Sequence, residues 1–150
     1  MVKILLSIHV VAAILLIGPV AVTTSLFPRY VPQATLPSRG DRVERNLEAA
    51  QMLHRVTRTY GRVALVVPVV GLVLAMVQGR ASEIWIVVAM ALTAVAGALL
   101  ILQIVPRQQH ALWAPDDPQL RGLTMLAGIF NLLWAAVVVL MIVRPGSDYS

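Results

Sequence analysis

The stretch "IWIVVAMALTAVAGALLILQIV", residues 84–105, runs for 22 residues without a charge. At about 1.5 Å per helical residue it reaches about 33 Å, enough to cross a hydrocarbon core of about 30 Å. In lipid every backbone amide must be bonded within the protein, so an isolated stretch of this kind reads as a helix and not as a strand. Apolar runs recur over residues 4–26, 61–77 and 120–143, the last two each with one arginine at the second position, and the 61–77 run only just long enough to span. The fold expected is therefore all-α. It is a single polytopic membrane domain over residues 1–150, with four transmembrane helices in an up-down bundle.

Composition agrees. The chain is 59% hydrophobic and 13% charged, with a mean hydropathy of +0.82, outside the range of a soluble domain. It holds no cysteine, which excludes disulfides, thiolate zinc sites, iron–sulfur clusters and cysteine nucleophiles. The formal charge of +5 does not point to nucleic acid, because such modules carry their basic residues on a soluble scaffold. It reports topology instead. The first and third connections hold Arg29, Arg39, Arg42, Arg45, Arg55, Arg58, Arg62, Arg107 and Arg121, whereas Lys3, Arg80 and Arg144 lie on the other side. The positive-inside rule then puts both termini outside the cytoplasm. Tyr60 and Trp113 on one side and Trp85 on the other fall where interfacial aromatic belts belong. A rival reading takes the first segment as a cleaved signal peptide, but its apolar run exceeds the usual h-region, and export of the arginine-rich loop would break the charge rule.

The connections read as follows. Pro28, Pro32 and Pro37 in "FPRYVPQATLPSRG" predict an extended loop after the first helix. Asp41 and Glu44 form a capping box, so the second helix should begin near Arg42 and project beyond the membrane before running to about Gln78. "GRAS" makes a tight turn, the third helix stops at Pro106, and Asp117 with Pro118 supplies an N-cap and first-turn proline for the fourth.

Ionisable groups inside a membrane are functional candidates by default. His9 lies about 10 Å deep in the first helix, on a face shared with Ala12, Ala13 and Leu16. It either bonds across to another helix and holds the two in register, or serves as a metal ligand or proton relay. A haem or copper site would draw its second ligand from Met90, at similar depth in the third helix. Met in an apolar helix also fills core space. Thr93 lies one turn deeper. Ala89, Thr93 and Gly97 follow each other at four-residue spacing, a pattern that lets helices approach closely. Thr124, Gly128, Asn131 and Ala135 share a face of the fourth helix, with Trp134 close by, and Asn131 needs a hydrogen-bond partner at mid-membrane. Pro19 and Pro68 remove backbone donors and predict kinks. Arg55, Arg58 and Arg62 align on one face, suited to anionic lipid headgroups or an acidic partner. Asp116, Asp117 and His110 share a loop, where capping accounts for the aspartates. No catalytic triad, phosphate loop or pair of membrane carboxylates occurs in the sequence.

Through "KILLSIHVVAAILLIGPV", "LHRVTRTYGRVALVVPVVGLVLA", "PRQQ" and "GIFNLLWAAVVVLMIVRPG", the chain resembles an uncharacterised family of four-helix bacterial integral membrane proteins, domain of unknown function 2269. The resemblance implies this fold and a bacterial plasma (inner) membrane location, and supplies no activity. A more distant likeness, carried by His9 and overall length, is to the copper-resistance D-type membrane proteins and the small protoporphyrinogen oxidases. The latter imply haem ligation by that histidine, but the basic residue expected in their third helix has no counterpart in residues 84–105. The expected function is a non-enzymatic accessory or assembly partner of a larger membrane complex, in contact with anionic lipids and with other subunits or itself. The alternatives are a haem- or copper-binding redox or metal-handling protein using His9, and a minimal oligomeric transporter around Asn131 and the two prolines.

Overall fold

The computed structural model describes residues 1–31 and 47–146. Helix α1 covers Val2–Tyr30, α2 Leu47–Val63, α3 Val66–Val77, α4 Ile84–Ala98, a π-helical segment Leu99–Ile104, α5 Val105–Trp113 and α6 Asp117–Val143. Grouped by continuity these make four rods, each long and apolar enough to cross a membrane: Val2–Tyr30, Leu47–Val77, Ile84–Trp113 and Asp117–Val143. The all-α, four-helix architecture expected from the sequence is the one observed. Residues 32–46, with Pro32, Pro37, Arg39, the Asp41–Glu44 box and the expected helix start near Arg42, lie outside the described residues.

Proline placement differs from the sequence expectation at Pro28 and Pro106 and agrees with it at Pro68. Pro28 does not start a loop; α1 passes through Pro19 and Pro28 and ends at Tyr30. A proline removes one helical donor, and in lipid neighbouring hydroxyls compensate. In α1, however, the Thr24 and Ser25 hydroxyls donate to the Val20 and Ala21 carbonyls, each at 2.8 Å, and not to the Leu15 and Thr24 carbonyls that Pro19 and Pro28 leave free, while Phe27 and Pro28 are buried in the core. Pro106 does not end the third rod either. The turn before it widens, so that the Val105 N–H reaches the Leu100 carbonyl five residues back. That π turn lets the rod absorb the missing donor and run on to Trp113. Pro68 does interrupt its rod. With no N–H on Pro68 to reach it, the Ala64 carbonyl accepts instead from Val67 at 3.0 Å, and the helix breaks between α2 and α3.

Two termini show how the ends are closed. After α3 the Arg80 N–H bonds the Ala75 carbonyl at 2.9 Å and Gly79 takes φ +68°, a left-handed cap that glycine adopts without steric cost. Helix α6 begins one residue from the expected position: Asp116 occupies the extended N-cap place, Asp117 opens the helix and Pro118 follows in its first turn.

The main core lies toward the arginine-rich end. Phe27, Ala50, Ala96, Ile104, Ala111 and Leu123 belong to one buried cluster drawn from all four rods. Around it α1 packs on α2, α3 and α6, and α4 packs on α6, whereas α3 and α4 scarcely touch. Large apolar side chains such as Ile14, Val69, Leu132 and Ile142 point outward, as they must on a lipid-facing surface.

At the opposite end a small clasp joins the α3–α4 turn to the end of α6. Glu83 accepts hydrogen bonds from the Trp85 indole N–H and from Arg80 Nε, and the Arg144 guanidinium lies 5.8 Å from the Trp85 ring centroid. The Trp85 bond, then Arg80, hold the Glu83 carboxyl below the usual carboxylate range. A depressed carboxylate stabilises the fold above its unfolded-state pKa and loses that contribution as pH falls through its folded value. Glu83→Gln is therefore expected to be less stable than wild type at neutral pH. The gap should close on acidification below the usual carboxylate range, as read by unfolding in mixed micelles; a gap constant from neutral to acid pH would contradict it.

Candidate functional site

Interior polar residues form three groups, one near the start of α1 and two nearer its end. Nearest the N-terminus, His9 is buried against α3 with 6% exposure. Its face carries Ala12 and Ala13, both partly buried against the cluster of Ile17, Ala64 and Val67. The imidazole donates to the backbone carbonyl of Val67. Gly71, one helical turn along α3 from Val67, gives the ring its seat: a Cβ there would lie 2.8 Å from His9 Cε1. Nδ1 has no partner. Even one methyl on Gly71 would collide with the ring, so the α3 side of the imidazole is filled. Met90 lies elsewhere, on the wall between α3 and α4. Among the described residues no three His, Cys, Asp or Glu side chains gather as a metal site.

Further along α1, Asn131 Nδ2 donates to Ser25 Oγ at 3.0 Å, tying α6 to α1. Ser25 Oγ donates onward to the Ala21 carbonyl, so the amide is oriented by the chain of donors, and Asn131 Oδ1 remains without a partner. Trp134 sets its ring edge-on to Phe130, centroids 6.2 Å apart, and its indole N–H is likewise unpartnered.

Toward the arginine-rich end, Thr23 and Thr57 hydroxyls meet at 2.8 Å, and His54 Nδ1 lies 3.2 Å from Gln108 Oε1. Thr57 and Gln108 are fully buried, and the Phe27 ring packs on the His54 ring with centroids 6.4 Å apart. Sequence reasoning missed this group. The signal was there: the exposed stripe of Arg55, Arg58 and Arg62 leaves Ala50, His54, Thr57 and Gly61 on another flank of α2, at helical spacing, and all four are buried.

The side between α3 and α4 is open. A groove of about 480 Å³ runs along it, lined by Leu65, Val69 and Leu72 on one wall and by Met90, Gly97 and Leu102 among others on the facing one. Pro68 and Thr93 line both this groove and a small void of about 30 Å³ behind it, which also touches Trp134. That void has room for one water. Neither Pro19 nor Asn131 lines it.

The glycines and alanines expected to pack helices divide by role. Ala89 is buried within the bundle. A Cβ on Gly97 would meet only a Leu65 methyl, at 3.9 Å, and one on Gly128 would have nothing within 4 Å. The close approaches inside the molecule are made instead by Gly71 on His9 and by Gly61 on Leu100, at 2.8 Å and 2.9 Å. Arg55, Arg58 and Arg62 are exposed along α2.

Compared with family models, curated proteins and solved structures, the chain matches none of them.

Proposed function

We propose that this protein is a non-enzymatic accessory subunit of a larger complex in the bacterial plasma membrane, with both termini outside the cytoplasm, and that α6 is where a neighbouring transmembrane helix docks. The observation that carries the reading is Gly128. It sits mid-helix, faces outward, and has nothing within 4 Å of where a Cβ would stand. A helical glycine costs about 1 kcal/mol relative to alanine, and neither internal packing nor a left-handed backbone calls for it here. Close approach of another helix does, because association in lipid depends on small residues that let backbones meet. Thr124 and Ala135 extend the same exposed face.

The absence of cysteine makes the test direct. Gly128→Cys and Ala135→Cys, placed singly and treated with a thiol crosslinker in native membranes, are expected to yield one adduct of the same defined mass. Ile129→Cys, exposed on another face of α6, is expected to yield none. An adduct at twice the chain's own mass would replace the accessory reading with self-assembly. Equal, diffuse labelling at all three positions would make the face a lipid surface.

A further inference from the structure

The open side between α3 and α4 must be filled by something in a bilayer, because an empty apolar groove forfeits dispersion contacts on both walls. Three features limit what fits. The first is length. From Met90 to Leu102 the groove runs about 18 Å along α4 and the π-helical segment, close to the thickness of one leaflet of a core about 30 Å deep. The second is chemistry: apart from the Thr93 hydroxyl, its lining side chains are hydrocarbon or the Met90 thioether. The third is charge at one mouth. Leu65, Val69 and Leu72 are spaced by four and three residues, and the rod that leads into them carries Arg62 and Arg58, three and seven residues before Leu65. Arg62 stands one turn beyond the mouth and Arg58 the next. Both are exposed, and neither pairs with a carboxylate among the described residues.

From these features we infer that the groove is a binding site for one anionic phospholipid of the leaflet on the arginine-rich side, with an acyl chain between α3 and α4 and the phosphate held by Arg58 and Arg62. Guanidinium groups suit the task because their planar fork meets phosphate oxygens in pairs. The distance from Arg62 to Leu72, ten residues or about 15 Å, matches a lipid chain that starts at the headgroup and ends at the bilayer midplane. Gly97 helps to keep the groove open: a Cβ there would meet one Leu65 methyl in ordinary contact, so the fold tolerates a side chain at this position but the groove would lose its depth. No residue of α6 lines the groove, and the site does not depend on the docking face proposed there.

The test uses the full chain in micelles doped with dioleoyl phosphatidylglycerol or dioleoyl phosphatidylcholine, with lipid retained per protein read by native mass spectrometry. Wild type is expected to retain one phosphatidylglycerol per chain in preference to phosphatidylcholine by about 10- to 30-fold, the ratio two interfacial arginines supply. Arg58→Gln/Arg62→Gln should lose that preference. Arg107→Gln/Arg121→Gln removes equal charge from the same end of the bundle and should keep it. Gly97→Leu, which fills the groove, should lower retention of both lipids. Equal retention of the two lipids by wild type would overturn the site, as would the same loss of preference in both arginine pairs. Inorganic phosphate stabilising wild type as well as phosphatidylglycerol does would also overturn it, by showing that the groove plays no part.

Discussion

Gly71→Ala is expected to destabilise the protein by about 1–3 kcal/mol, and to do so only while His9 is present. The new methyl would lie 2.8 Å from His9 Cε1 and 3.4 Å from Nδ1, closer than packed atoms allow. Overpacking of this kind typically costs about 1–3 kcal/mol. The ring has little freedom to move aside, since it is 6% exposed and bonded to the Val67 backbone. Working against the clash is the better helix propensity of alanine, worth up to about 1 kcal/mol. In a His9→Ala background the clash is gone and only that gain remains, so Gly71→Ala should become neutral or mildly stabilising. The coupling between the two sites, measured by unfolding single and double variants in mixed micelles, should be about 1–3 kcal/mol. His9→Ala alone should cost less than Gly71→Ala adds by strain, because membrane hydrogen bonds average only about 0.6 kcal/mol. Additive effects would mean that His9 is not seated on Gly71. Preservation of the coupling in His9→Gln would locate it in side-chain bulk and not in the imidazole.

The same residues show how far the sequence carries. The four spans are legible because hydrocarbon length and absence of charge are one-dimensional properties, and residues 84–105 display both without any knowledge of neighbours. His9 is legible as an anomaly, an imidazole among aliphatics, but its partner is not. Gly71 looks like any glycine in "VVPVVGLVLA", and only the angle between α1 and α3 decides that its missing Cβ is the seat of a ring. Gly97 and Gly128 match the spacing rule for close helix packing, yet the internal close approaches fall to Gly61 and Gly71, since spacing along one helix does not say which face meets another. Pro28 and Pro106 mislead for a related reason. Reading proline as a stop assumes that a lost donor ends a helix, whereas here α1 runs on through Pro28 and the third rod passes Pro106 on a π turn. The polar group at His54 escapes notice because its residues are dispersed over α1, α2 and α5, with Gln108 hidden in "PRQQHALW" between two polar-looking neighbours.

That group gives the second large effect. Gln108 is fully buried, and its Oε1 faces His54 Nδ1 at 3.2 Å while Nε2 has no partner. Replacing Gln108 with leucine keeps most of the volume but leaves His54 Nδ1 facing hydrocarbon. A buried group stripped of its partner costs about 1–3 kcal/mol, and the Phe27 ring holds the imidazole where it cannot turn readily to another acceptor. Opposing this, the substitution removes the unpaired Gln108 amide nitrogen, itself a buried cost of similar kind. The balance decides the sign: Gln108→Leu should destabilise by about 1–2 kcal/mol, less than a fully satisfied pair would lose. Gln108→Ala should cost about 2–4 kcal/mol, because a cavity beside Ile104 and Ala111 adds to the orphaned ring. The combination His54→Phe/Gln108→Leu removes both polar groups together, and where polar pairs are replaced by apolar groups of similar shape the result is close to neutral. It is expected to recover most of the loss in Gln108→Leu. Recovery would assign the pair a role in fixing the register of α2 against α5, with no net stabilisation of its own. If the double variant instead falls below both single ones, the imidazole makes contacts beyond Gln108 that the fold depends on, and the arginine-rich end of the bundle is held by His54 itself.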